Sequence, residues 1–158
     1  MMSRLICCVV IGALMVAAPV YAQPVSDANM EILKEKLKAD KKLLVASNMD
    51  LTDAEAKQFW PLYEAYQKDL DAINKHLGQT VKDYADAFNK GVIPNDTAKK
   101  LLNEALSVEE QETKLKRTYA DKIGKVLPAT KVARYIQMET KIRSLIRFEM
   151  AQQIPLVY

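Results

Sequence analysis

The sequence predicts an all-α protein of about four helices. Three observations carry this. Apolar residues recur every three or four positions along most of the chain, and no segment alternates with period two. Gly (4) and Pro (6) are too few for a turn-rich β fold or a low-complexity linker. Capping signals stand at the ends of the periodic stretches. With 158 residues, 49% hydrophobic and 27% charged, the chain has an ordinary globular balance and room for one domain with a modest core.

Residues 1–22 are set apart. Arg4 provides a positive start, Leu5 to Ala18 is an uncharged apolar run, and Val20-Tyr21-Ala22 suits a signal peptidase. The run is shorter than the roughly 20 residues a membrane span needs, and Pro19 sits near its end. The expected reading is a signal peptide cleaved after Ala22, followed by a single helical periplasmic domain, 23–158. Cys7 and Cys8 lie inside the apolar run, so the mature domain is expected to hold no cysteine and no disulfide. Removing Arg4 takes the formal charge from +3 to +2. Export turns a mildly basic helical chain away from nucleic acid and towards envelope proteins, with peripheral membrane contact as a further option.

The first helix is expected from Asp27 to about Ser47, with Met30, Leu33, Leu37 and Leu44 on one face and Lys41 interrupting it. Ser47-Asn48-Met49-Asp50 reads as a connection. Thr52-Asp53-Ala54-Glu55 is a capping box: hydroxyl and carboxylate can each satisfy an orphan backbone N–H. Leu51 before it suits a hydrophobic staple. The second helix carries a near-heptad seam, Phe59, Tyr63, Tyr66, Leu70, Ile73, Leu77, Val81, Tyr84 and Phe88. Pro61 is expected to kink it or to start a new helix, and Gly91 to cap its end.

Pro94-Asn95-Asp96-Thr97 opens a third helix, with Asn95 or Asp96 as the expected cap. Its seam holds Ala98, Leu101, Ala105, Val108, Leu115, Tyr119 and Val126, with Glu112 and Lys122 falling on the same line. Leu127-Pro128 closes it and opens a fourth, which runs to about Gln153 with Val132, Tyr135, Ile136, Ile142, Leu145 and Ile146 on its apolar arc. Ile154 to Tyr158 is a short apolar tail. A helix over residues 52–90 would be about 58 Å long, more than a compact sphere of this mass can hold. The expected form is therefore elongated, bent helical hairpins in an intertwined or antiparallel homodimer.

Candidate sites are few. His76 is the single histidine, and with no cysteine in the mature domain it has no companion metal ligands, so it reads as a solvated surface residue. No cofactor is expected, and no carboxylate pair is marked out for acid–base work; Glu64–Lys68, Asp71–Lys75 and Glu112–Lys116 read as exposed pairs four residues apart. Phe59, Trp60, Tyr63 and Tyr66 read as core whose tyrosine end stays partly open. Glu139 falls inside the apolar arc of the fourth helix and needs a partner, for which Arg143 is the local candidate. That helix also carries the positive surplus. Lys131, Arg134 and Lys141 edge one side of the arc, Arg143 and Arg147 the other. With Tyr135, Glu139 and Ile142 they form a candidate surface for an apolar client or partner.

Two helix starts resemble each other. Leu51-Thr52-Asp53-Ala54-Glu55 and Leu127-Pro128-Ala129-Thr130-Lys131 each begin with Leu and a helix-starting residue, and each is followed by an aromatic eight positions after the Leu, Phe59 and Tyr135. Together with Phe59-Trp60-Pro61-Leu62-Tyr63, this arrangement resembles an uncharacterised branch of the Spy/CpxP-like, LTXXQ-motif family of periplasmic stress proteins. Glu55 and Lys131 stand where that motif has Gln. The resemblance implies a bent helical dimer in the envelope stress response. Its members include ATP-independent chaperones and proteins that restrain a membrane sensor kinase. The expected function is therefore non-catalytic: chaperone-like holding of exposed apolar segments of unfolded envelope proteins, or alternatively a regulatory partner bound to a sensor's periplasmic domain.

Overall fold

The computed structural model describes the backbone of residues 27–157 and the side chains of residues 38–157. The expected signal peptide and the side chains of Met30, Leu33 and Leu37 lie outside the described residues. Four helices follow in order: α1 (Asp27–Met49), α2 (Asp53–Phe88), α3 (Asn95–Ile123) and α4 (Ala129–Gln153), with no strand among the described residues. The fold is all-α, as the periodicity predicts. The chain divides into two units, Met1–Leu37 and Lys38–Tyr158. The first contains the opening turns of α1. The second holds the rest of α1 and the other three helices, and it is the unit described below.

Contact partners fix the helix directions. Numbers fall on α3 as they rise on α2, from Tyr66 against Tyr119 to His76 against Glu104, so these two form an antiparallel hairpin. Numbers rise together on α2 and α4, from Phe59 and Tyr135 through Gln67 and Glu139 to Tyr84 and Pro155, so α4 runs parallel to α2. The end of α1 runs against both, with Lys42 on Glu64 and Lys41 on Glu139. This is up-down-up-down packing.

The core is aromatic. Tyr135 is fully buried between Phe59 (ring centroids 5.2 Å apart, planes at 85°) and Tyr66 (5.8 Å, 76°), and Tyr66 meets Tyr119 edge-on at 5.3 Å. Edge-to-face contacts of this kind add about 0.5–1.5 kcal/mol each beyond burial. Val45, Met49, Ile123, Leu127 and Val132 close the cluster. Tyr63 and Tyr66 are both 3% exposed, so the end of the seam expected to be partly open is shut, because α4 lays Tyr135 across it.

The capping box forms as expected. Glu55 N–H donates to Thr52 Oγ1 at 3.3 Å, and Thr52 N–H donates to Glu55 Oε2 at 2.8 Å. Other local expectations are corrected. α1 continues through Ser47-Asn48-Met49, and the connection is the three residues Asp50-Leu51-Thr52, with Asp50 in the left-handed region at φ 48°. Its inward residues are Val45 and Met49, while Leu44 is 48% exposed. Helix α2 runs unbroken through Pro61, which stands on the exposed side, where water can serve the carbonyl left without a donor. The C-cap of α2 is Asn89, and Gly91 takes the left-handed turn at φ 107°. Helix α3 is preceded by Pro94, with Asn95 and Asp96 already helical, and it ends at Ile123. On α4 the buried residues are Val132, Tyr135 and Glu139, whereas Leu145 (69%) and Ile146 (45%) face outward.

Candidate functional site

Beyond the aromatic core the helices meet through charges. Lys41 Nζ donates to Glu139 Oε2 at 2.7 Å and to Gln67 Oε1 at 2.8 Å; Gln67 Nε2 donates to Glu139 Oε1 at 2.9 Å. The partner of buried Glu139 is thus Lys41, not Arg143. Arg143 shares the inward face of α4 but is taken up by Glu112 of α3, and Glu139 meets a lysine on the opposing helix instead. The apparent interruption of α1 is this same lysine. Arg143 donates instead to Glu112 of α3 and, at 2.8 Å, to Asn74 of α2. Arg147 reaches Glu112 and Glu109, both at 3.1 Å. Glu112 therefore does not pair with Lys116, and Glu64 pairs with Lys42 rather than Lys68; Asp71–Lys75 forms as expected at 3.0 Å.

The eight residues of the expected α4 surface are mostly committed within the bundle. Lys131 Nζ donates at 2.7 Å both to Glu55 Oε2 and to the Asp50 carbonyl, holding the Glu55 carboxyl below the usual carboxylate range. Arg134 donates to the Asn48 carbonyl at 3.3 Å. Tyr135 and Glu139 are buried, and Arg143 and Arg147 serve Glu112. Ile142 is half-buried, and Lys141 is exposed. These side chains do not make one free cation-edged strip. The motif residues Leu51, Thr52, Glu55, Leu127 and Pro128 gather at the same end of the unit, where Lys131 joins the two helix starts.

Burial and nearby charge also raise the tyrosines. Burial, then the Glu139 and Glu64 charges, push Tyr63 up to about 12; burial and the Asp69 carboxylate, which accepts from Tyr119 Oη at 2.7 Å, do the same for Tyr119. His76 is no free surface residue. Its Nε2 lies 2.8 Å from Glu104 Oε2, its Nδ1 lies 3.3 Å from Gln111 Nε2, and its side chain is 30% exposed.

The opposite end, away from the motif, holds an open apolar groove of about 370 Å³ between the end of α2, the start of α3 and the end of α4. Thr80 (8%), Ile93 (7%) and Leu101 (9%) form its buried floor, while Leu102 (58%) and Val157 (54%) stand exposed on its lip. Its few polar side chains already have partners: Thr80 Oγ1 donates to the His76 carbonyl at 3.0 Å, Tyr84 Oη to the Pro155 carbonyl at 2.8 Å, and Arg147 to the two glutamates. A groove walled this way offers mainly apolar surface, with its few polar side chains already engaged, which suits an apolar occupant. The groove was not marked by charge. Its signal lies in the seams, where Leu77, Val81 and Tyr84 on α2 face Ala98 and Ala105 on α3. Small side chains opposite large ones leave space.

No known protein family, curated protein or solved structure matches the chain. Among the described residues no group of three or more His, Cys, Asp or Glu could hold a metal ion, and no helix is long and apolar enough to cross a membrane.

Proposed function

We propose that this is a periplasmic, non-catalytic binding protein that holds exposed apolar segments of unfolded envelope proteins without ATP, as part of the envelope stress response. The observation that carries the reading is the apolar groove, lined almost wholly by apolar side chains, so that burial of apolar surface is the main thing it has to offer a ligand. The leader-like segment 1–22 and the resemblance of the Leu51 and Leu127 helix starts to the LTXXQ pattern support the compartment and the stress role. We favour the groove over the α4 cations as the holding surface, since most of those cations are bound internally.

The test mixes purified protein at stoichiometric ratios with two unrelated unfolding proteins and follows light scattering. Suppression of both is expected, and Leu102→Asp on the groove lip abolishes it while leaving the fold intact. Suppression of neither overturns the reading. Tight binding of a single envelope sensor, with no effect on either client, would favour the regulatory alternative instead.

A further inference from the structure

One wall of the groove is supplied by a short segment of the chain that lies outside the helices. Helix α4 stops at Gln153, and Ile154 is extended at φ −98°, ψ 112°, as a residue before proline must be. The extended segment turns back over the groove, where Ile154 and Val157 join its lining. Among the described residues one polar contact anchors it, from Tyr84 Oη of α2 to the Pro155 carbonyl at 2.8 Å. That bond is made to backbone, so it reads an extended peptide rather than a particular side chain. The two apolar anchors three residues apart read hydrophobicity.

The hold is shallow. Leu156 is 81% exposed and Val157 54%, and Ile154 is only half-buried. A single tyrosine hydrogen bond contributes little net free energy. What keeps the segment in place is its tether, which gives it a high effective concentration at the groove. We propose that Ile154–Val157 is a built-in pseudo-ligand: it takes up the Tyr84 side of the groove in the resting protein and is displaced by an extended apolar peptide segment of a client. This rests on the holding function proposed above and adds the regulation of that site. Displacement requires no change in the aromatic core or in the charged contacts, because the segment lies outside all four helices.

The occupied fraction sets the apparent affinity. If the segment takes up that side nine-tenths of the time, its release tightens binding of a free peptide about tenfold. The probe is a fluorophore-labelled, acetylated Ile-Pro-Leu-Val amide, titrated by anisotropy against the intact protein and against an Ile154→Ser/Val157→Ser double variant, which leaves the helices and Tyr84 unchanged. The double variant is expected to bind the probe about tenfold more tightly than the parent. Tyr84→Phe added to it is expected to weaken that binding about fivefold, because the free peptide uses the same hydroxyl. Equal affinity in the parent and the double variant, or no binding to either, overturns the pseudo-ligand. Client holding in light scattering separates the two proposals. If holding depends on Leu102 but is unchanged in the double variant, the pseudo-ligand alone falls. If no variant holds any client, the holding function falls as well.

Discussion

Glu55 and Lys131, each the fifth residue of a similar helix start, form an ion pair with Nζ and Oε2 2.7 Å apart. Glu55 also closes the capping box of α2, and Lys131 also binds the carbonyl of Asp50, the first residue of the connection between α1 and α2. Two helix starts that look alike in sequence are thus fastened side by side, by residues of opposite charge at the equivalent position. The pairing gives the opposite charges at the two equivalent positions a physical role.

Removing the cap should be felt locally. Thr52→Ala deprives the Glu55 N–H of its acceptor and is expected to destabilise the protein by about 1 kcal/mol, read from urea unfolding followed by circular dichroism. Thr52→Ser, which keeps the hydroxyl, should lose little.

The ion pair has a pH signature. The Lys131 ammonium and the Thr52 N–H lower the Glu55 pKa from its ordinary 4.5. A lowered carboxylate pKa stabilises the fold at pH values above the ordinary one, and that contribution disappears as pH falls through the folded value. Lys131→Met should therefore melt lower than the parent at neutral pH, and the gap should narrow below about pH 4.5. A gap that stays constant into acid would show that the pair contributes nothing through charge.

Glu139 is 3% exposed and draws its positive partner from another helix. Lys41→Met leaves that carboxylate with Gln67 as a neutral donor only, and should cost about 3 kcal/mol in chemical denaturation. The double variant Lys41→Met/Glu139→Met should recover most of the loss, since apolar residues of similar volume replace a buried ion pair at little cost. Failure of the second change to rescue the first would mean that the loss came from packing.

The buried tyrosines predict alkaline behaviour. A phenol whose folded pKa is raised stays neutral while its unfolded counterpart ionises, so its stabilising contribution is whole below pH 10 and is lost as pH rises through the folded value, about 12 for Tyr63 and Tyr119. Phenolate absorbance and loss of helical circular dichroism should therefore rise together between pH 10 and 12. Full ionisation of all the tyrosines near pH 10 without unfolding would contradict the burial of Tyr63, Tyr66, Tyr119 and Tyr135.

Periodicity located all four helices because 3.6-residue spacing is a local property, and the Thr52–Glu55 cap was legible because both partners lie within one turn. What could not be read from neighbours was the identity of partners across helices. Lys41 looked like a fault in an apolar stripe, and Arg143 looked like the answer to Glu139. Both were wrong for one reason: a charge on an inward face is met by another helix, 98 residues away in this case. The same blindness hid the groove, which depends on Ala98 and Ala105 of α3 facing the large residues of α2. Whether a cation of α4 is free or already bound is likewise decided by the opposing helix.

The pairing of Lys41 with Glu139 also has a meaning in time. The ribosome makes Lys41 well before its partner, and at about 5–20 residues per second that separation lasts about 5–20 s. Through that interval the end of α1 has neither its counter-charge nor the Tyr135 ring that completes the core beneath it. The hairpin of α2 and α3 can close on its own, but α1 is left waiting. A chain built this way can seat the end of α1 only after Tyr135 and Glu139 of α4 have been made.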